Sequence, residues 1–261
     1  MGCYPAKPES PAPERAKPVV ASPAPPAVVI PSTPAAPPRL TVKEISGITF
    51  EGVAFDSRNH RLAVVDQAGG PGSKFEDSAA AAASKNGIAA VNAGFFTPEG
   101  APLGLVAAGG KVSGSWNTAS SLGSGAWYEN TSGEMTISRR DKLGRSAAAN
   151  QRELIQAGPL LVENSQPVSG LEATKTSARI FILWDGGTRW WIGRTSPCTL
   201  AAVASAIGNG EPASWRVRHA LNLDGGRSAD LWISSQVSGG PLTRRTPWNR
   251  PVRNFLVLLP K

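Results

Sequence analysis

Metal-binding and thiol side chains are scarce in this chain: its 261 residues include two histidines, His60 and His219, and two cysteines, Cys3 and Cys198. Neither histidine has a ligand partner at a useful spacing, so a zinc centre is not expected, and no metal is assigned. His219 lies inside an apolar run and reads as a satisfied core histidine. Cys3 sits at the extreme N-terminus and Cys198 deep in the chain, so a structural disulfide between them is not expected, and Cys198 reads as a small buried thiol. No run of about 18 apolar residues occurs, so no transmembrane helix is expected. There is no Gly-x-Ser-x-Gly elbow and no dinucleotide-binding glycine fingerprint, and Gly69–Lys74 lacks the Gly-Lys-Ser/Thr order of a phosphate loop. No repeat of 20–50 residues is visible. The remaining chemistry belongs to carboxylates, arginines, asparagines and backbone amides, and no cofactor is expected.

Proline, by contrast, is plentiful near the N-terminus. Residues 5–38 are dominated by Pro, Ala, Val and Ser. Proline fixes φ and removes donors, so residues 1–40 are expected to form an extended, disordered tether. Residues 41–261 are then long enough for one full-sized domain. Gly2-Cys3 ahead of this tether resembles the start of a mature bacterial lipoprotein, with Cys3 as the lipidated residue. Tyr4 rather than Asp follows it, which favours a periplasmic lipoprotein of the outer membrane; the plainer reading is an incidental cysteine in a tail.

The formal charge is +8. Lys7, Arg15, Lys17 and Arg39 against Glu9 and Glu14 give +2 for residues 1–39, which leaves +6 for the rest. That balance suits anionic partners such as phosphates or anionic glycans. The charges are scattered rather than striped and belong to no recognisable module, so nucleic acid is not an expected partner. A monomer is expected.

Short apolar runs punctuated by turns predict many strands and few helices. Ile48–Phe55, Leu62–Asp66, Ile88–Phe96, Met135–Ser138, Arg216–Leu223, Ala229–Ile233 and Phe255–Leu259 read as strands. Leu154–Val162 reads as another, broken at Gly158-Pro159. Gly109-Gly110 and Asp185–Thr188 each sit between two strand-like runs, as hairpin turns do. Helices are predicted after Asp77 or Ser78 and from Thr199 to Ile207. Trp190 and Trp191 alternate along one strand, so one of them is expected to face away from the core. Together these elements predict an α+β domain of mixed, largely antiparallel sheets with a few short helices.

Four segments place polar or charged groups beside glycine, or next to a glycine hairpin, at apparent strand ends. They are Asn92-Ala93-Gly94-Phe95-Phe96, Gln156-Ala157-Gly158-Pro159, Ala178-Arg179, and Asn222-Leu223-Asp224-Gly225-Gly226-Arg227-Ser228. An Asp-Gly-Gly run is ordinary turn chemistry by itself. At the end of a buried strand it also holds a carboxylate rigidly, with backbone open to close approach. With the Thr199-Leu200 helix, the order and spacing of these motifs resemble the phosphodiester glycosidase domain family over about residues 45–260. In that family an enzyme removes N-acetylglucosamine from a sugar–phosphate diester. The chain departs from the pattern at Ala93, at Ile180-Phe181-Ile182 and at Arg227, which stand where the family has Gly, Thr-Ala-Ile and Gly.

The resemblance implies an exported hydrolase of glycosyl phosphodiesters. Asp224 would serve as base or as stabiliser of an oxocarbenium-like transition state, Arg179 as phosphate clamp and Asn92 as orienting group. Gly94, Phe95, Asn222, Gly225, Gly226, Arg227 and Ser228 would line the substrate. Trp116, in a Ser/Gly-rich loop, is the aromatic chosen to pack on a sugar ring. Two other readings stand beside this one. The first is a non-catalytic glycan-binding lipoprotein on the same fold. The second is hydrolysis of another phosphodiester, such as a nucleotide.

Overall fold

The computed structural model of the protein describes residues 1–3 and 34–261, so the expected tether lies mostly outside the described residues. In chain order the strands are β1 (Arg39–Ile45), β2 (Ile48–Asp56), β3 (His60–Asp66), β4 (Ala89–Asn92), β5 (Val106–Ala108), β6 (Lys111–Ser113), β7 (Gly125–Glu129) and β8 (Met135–Arg139). They continue with β9 (Glu153–Ala157), β10 (Leu160–Glu163), β11 (Gln166–Pro167), β12 (Ile180–Trp184), β13 (Arg189–Thr195), β14 (His219–Asn222), β15 (Leu231–Ile233), β16 (Leu242–Arg244) and β17 (Asn254–Pro260). The helices are α1 (Ser78–Ala83), α2 (Arg140–Leu143), α3 (Arg145–Ala149) and α4 (Leu200–Asn209).

The strands form three sheets, ordered β1-β2-β13-β12-β14-β10-β11, β16-β15-β4-β17-β3 and β6-β5-β9-β7-β8. Each pairing of these strands is antiparallel. This is the α+β, largely antiparallel class that the strand-and-turn pattern predicts, and Ala35–Lys261 forms one unit.

Alternation along the strands sets the layering. In β12, Ile180 and Ile182 enter a central core that also takes Leu62 and Val64 of β3, Val91 of β4, Trp127 of β7 and Ile155 of β9. All three sheets therefore share one apolar interior. Phe181 and Leu183, the alternate residues of β12, point to the other face, where α4 covers them with Val203, Ala204 and Ile207. The outer face of the second sheet is covered by Ala81 and Ala82 of α1, and that of the third by Ala148 of α3. Apolar area removed from water on both faces of each sheet is the main stabilising term.

This double covering corrects the expectation for Trp190 and Trp191. They do alternate, Trp190 into the central core and Trp191 toward α4, yet both are fully buried because β13 has a packed layer on each side. Both predicted hairpins are present, β5–β6 around Gly109-Gly110 and β12–β13 around Asp185–Thr188. The two glycines at the β5–β6 turn have φ of +56° and +79°, the left-handed values that a tight hairpin requires. Asp77 caps α1 and Thr199 caps α4 through side-chain bonds to Ala80 N and Ala202 N. Gly158-Pro159 does more than interrupt a strand. The chain leaves the third sheet at β9 and enters the first at β10 across this pair.

Candidate active site

The strand ends of the three sheets meet at one seam. β4 ends at Asn92 and β14 at Asn222, and the chain after each is tied to the other: Asp224 N–H donates to Ala93 O at 2.8 Å. Ala93 N–H donates to Asn254 O at 3.0 Å, and Gly94 N–H to Asn254 Oδ1 at 2.6 Å, which adds the start of β17. Asn222 reaches the β9–β10 corner, donating its backbone N–H to Pro159 O at 3.0 Å and its Nδ2 to Gly158 O at 2.9 Å. Asn92 is buried and bonds in two directions: Nδ2 to Asp224 O at 2.6 Å, and Oδ1 from Asp230 N–H at 2.9 Å. Asn222 Oδ1 and Asn254 Nδ2 are buried without a partner among the described residues.

These bonds satisfy the backbone of Asp224 and leave its side chain to act. Asp224 is 6% exposed. Burial raises its carboxyl above the usual Asp range, while the Ser228 hydroxyl, the Arg250 guanidinium and the Gly225 N–H pull the other way. Arg250 Nη2 lies 3.4 Å from Asp224 Oδ2, and Arg250 Nε donates to Ser228 Oγ at 2.9 Å. The guanidinium carbon stands 4.5 Å from the centroid of the Phe96 ring, a cation–π contact that fixes its plane. The Arg250 side chain is 45% exposed, so donors remain on its solvent side. Arg250 was not among the residues singled out from the sequence.

Gly225 lets this segment pass close to the chain before β12. A Cβ on it would lie 2.6 Å from Ala178 O, and Gly226 N–H donates to the same carbonyl at 2.8 Å. A 3-10 turn, Gly226–Ser228, then brings Ser228 back beside Asp224. A second buried acid, Asp230, serves the framework. Its Oδ2 accepts from Ser78 N–H at 2.8 Å at the start of α1 and lies 3.5 Å from Arg245 Nη1. Burial raises its carboxyl too.

The remaining expected residues lie as follows. The Arg179 backbone adjoins Gly225, but its guanidinium donates to Cys198 O at 2.9 Å and Lys175 O at 2.5 Å and lies 3.9 Å from Glu172. Arg227 is exposed, and among the described residues its side chain makes no hydrogen bond or ion pair. Phe95 is half-buried against the central core. Trp116 is half-buried against Leu105, Ala107 and Leu154 on the outer face of the third sheet. Among the described residues no three His, Cys, Asp or Glu side chains cluster as a metal site would require.

A family model described as "Phosphodiester glycosidase" matches residues 85–259. The fold is similar to the catalytic domain of the zebrafish N-acetylglucosamine-1-phosphodiester alpha-N-acetylglucosaminidase, auto-inhibited by its pro-peptide, at 17% identity and a TM-score of 0.59. That match covers 87% of this chain and 84% of the zebrafish one. It is also similar to a hypothetical protein from Synechocystis, at 15% identity and a TM-score of 0.56, with 88% and 64% covered. At such identities these two matches show the fold. No curated protein matches the chain.

Proposed function

The chain belongs to the phosphodiester glycosidase family, and from that membership we propose that its Asp224 site hydrolyses a glycosyl phosphodiester between the anomeric carbon and the phosphate. The observation that carries the reading is the pairing of a buried carboxylate with a half-exposed guanidinium at the three-sheet seam. Water attacks the anomeric carbon and gives up a proton, the carbon–oxygen bond to phosphate breaks, and the bonding pair leaves with the phosphate monoester. The products are the free sugar and that monoester.

Such a leaving group is a weak base and requires little protonation, so the demands on the protein are to neutralise the phosphate and to direct water. Asp224 takes the proton from water. Its raised carboxyl is a stronger base than an ordinary aspartate, and the bonds that Asn92 and Ala93 make to its backbone fix its position. Arg250 takes the phosphate oxygens on its free edge while Nε and Nη2 remain on Ser228 and Asp224. Arg179 holds the chain before β12 in place through the Lys175 and Cys198 carbonyls. The unpartnered Asn254 Nδ2 and Asn222 Oδ1 supply a donor and an acceptor for water or sugar hydroxyls.

A panel of glycosyl phosphodiesters offered to the purified protein tests this, with neutral alkyl glycosides and nucleotide diesters as controls. Release of free sugar from the phosphodiesters is the expected result. Binding of glycosyl phosphodiesters without turnover would leave a glycan-binding protein on the same fold, and cleavage confined to nucleotides would reassign the substrate. Export as a lipoprotein belongs to the same proposal and is supported by Gly2-Cys3 ahead of the Pro/Ala-rich run. In cell fractionation the wild-type protein should follow the membranes and Cys3→Ser should not; equal behaviour would rule out the anchor.

A further inference from the structure

β3 is the edge strand of the second sheet and β6 that of the third, and a cleft of about 720 Å³ opens between them. Three lysines, Lys74, Lys85 and Lys111, line it. All three are exposed, and among the described residues none of their ammonium groups has a hydrogen-bond or ion-pair partner. The ion pairs among the described residues all use arginine as the cation, so these lysines stand outside the protein's own charge pairing. Two carboxyls share the cleft, Asp66 and Glu153, and both are already engaged. Arg253 Nε and Nη2 donate to Asp66 at 2.8 and 3.0 Å, and Ser113 Oγ donates to it at 3.0 Å. Glu153 is 5% exposed, and its Oε2 accepts from Val64 N–H at 2.9 Å, which closes the outer edge of β3 with a side chain in place of another strand. Burial raises its carboxyl above the usual Glu range.

The backbone that carries each lysine is pinned. Lys74 N–H and Phe75 N–H both donate to Oε1 of the buried Gln67 at 2.8 Å, and Gln67 Nε2 returns a bond to Phe75 O at 3.2 Å. Lys85 closes the end of α1, where its N–H donates to Ala82 O at 3.0 Å and Gly87 N–H donates to the same carbonyl at 2.8 Å. Lys111 follows the Gly109-Gly110 turn, and Gly110 N–H donates to Arg152 O at 2.7 Å. Phe75, half-buried, and Val112, 46% exposed, add apolar wall. Three like charges around one concavity repel until an anion sits among them, and the walls concentrate their field. The volume exceeds what an inorganic anion fills and is that of a small-molecule site.

We infer that the cleft between β3 and the β5–β6 hairpin is a second binding site, for a small organic polyanion that carries two or more phosphate or carboxylate groups on one body. Lys74, Lys85 and Lys111 act as point charges toward those groups, and Phe75 and Val112 meet the body between them. Asp224, Arg250, Asn92 and Asn222 do not line this cleft, so the site stands apart from the reaction proposed at the seam.

Calorimetry on the full-length protein tests the site with two probes, fructose 1,6-bisphosphate and citrate, and with fructose 6-phosphate as the single-phosphate control. At least one polyanion should bind, about tenfold or more tighter than the control. Preference for the bisphosphate identifies phosphate as the recognised group, and preference for citrate identifies carboxylate. Lys74→Gln, Lys85→Gln and Lys111→Gln should each weaken binding roughly fivefold to tenfold, and the triple variant should abolish it. Tm should not change, because the three side chains are exposed. Lys142→Gln removes an exposed lysine outside the cleft and should have no effect. The bound probe should also slow acetylation of Lys74, Lys85 and Lys111, and not of Lys142, as read by mass spectrometry. Failure of both polyanions to bind, affinity retained in the triple variant, an equal loss in Lys142→Gln, or uniform acetylation overturns the site. None of these outcomes depends on turnover at Asp224.

Discussion

Replacing Asp224 by Asn isolates the charge from the shape. The amide has nearly the volume of the carboxylate, and its oxygen can still accept from Ser228 and from Gly225 N–H. The backbone bonds to Asn92 and Ala93 are untouched. If Asp224 is the base, kcat on a glycosyl phosphodiester should fall by roughly 10²–10⁴ with KM little changed. That corresponds to about 3–5 kcal/mol of barrier at roughly 1.4 kcal/mol per tenfold. Stability should move the other way. Burial raises the carboxyl in the native state, so the folded protein keeps its proton over an interval where the unfolded chain, with an ordinary Asp value of about 3.9, has lost it. The native state binds more protons there, and wild-type stability declines as pH rises through that interval. Asp224→Asn has no such dependence. Urea unfolding of both proteins from pH 4 to pH 8 should give a difference in favour of the variant that opens with pH and then levels off. Each unit of elevation is worth about 1.4 kcal/mol. Wild-type kcat in the variant would refute the catalytic role. A variant that loses stability relative to wild type as pH rises would refute the electrostatic reasoning, since it would mean that Arg250 and the donors outweigh burial.

Arg250→Lys keeps the charge and loses the planar fork and its stack on Phe96. It should raise KM for phosphodiesters about tenfold or more and leave any turnover of neutral glycosides unchanged; an equal effect on both classes would count against a phosphate role. Arg179→Ala should act mainly on stability, lowering it by about 1–3 kcal/mol as the Cys198 and Lys175 carbonyls lose a donor. A tenfold KM change at unchanged Tm would show instead that Arg179 holds the phosphate. Asn92→Ala strips a partner from Asp224 O and from Asp230 N–H, so denaturant unfolding should show a loss of roughly 2–4 kcal/mol; a neutral result would mean that water replaces the amide.

Much of the layout was legible because its signals are local. Gly109-Gly110 and Asp185–Thr188 announce their hairpins within four residues, and Asp77 and Thr199 announce their helices within three. The sheet assignments were not local. β2 and β3 follow one another across three residues, 57–59, yet join different sheets, because β2 pairs with β13 and β3 with β17. Nothing within the turn records partners more than 100 residues away. β1 also escaped notice: its burial alternates only weakly, as suits an edge strand, and it follows directly on the proline-rich stretch. The two faces of β13 were misjudged because alternation tells which residues oppose each other and not whether the second face is covered.

At the site, polar groups beside glycine mark the segments that meet through main-chain carbonyls, whereas the segment that arrives by side chain carries no glycine signal. The segments of Asp224, Asn92 and Asn222 are tied at strand ends by bonds to main-chain carbonyls: Asp224 N–H to Ala93 O, Asn92 Nδ2 to Asp224 O, and Asn222 N–H and Nδ2 to Pro159 O and Gly158 O. Arg250-Pro251-Val252-Arg253-Asn254 has the same design, polar groups at the mouth of an apolar strand, but no glycine, since Arg250 reaches Asp224 across 26 residues with an extended side chain. Its position depends on the Phe96 ring beside it, on the Asn249 side-chain amide donating to Ala229 O and on the Arg250 N–H donating to Arg227 O. Each of those is a tertiary contact. The seam itself explains the division of labour. Bonds to its backbone from Asn92 and Ala93, after β4, immobilise Asp224 at the seam, and its burial there raises its basicity. The cation opposite it stays half in water, where an anionic substrate can meet it, whereas the Arg179 guanidinium is engaged by the Cys198 and Lys175 carbonyls.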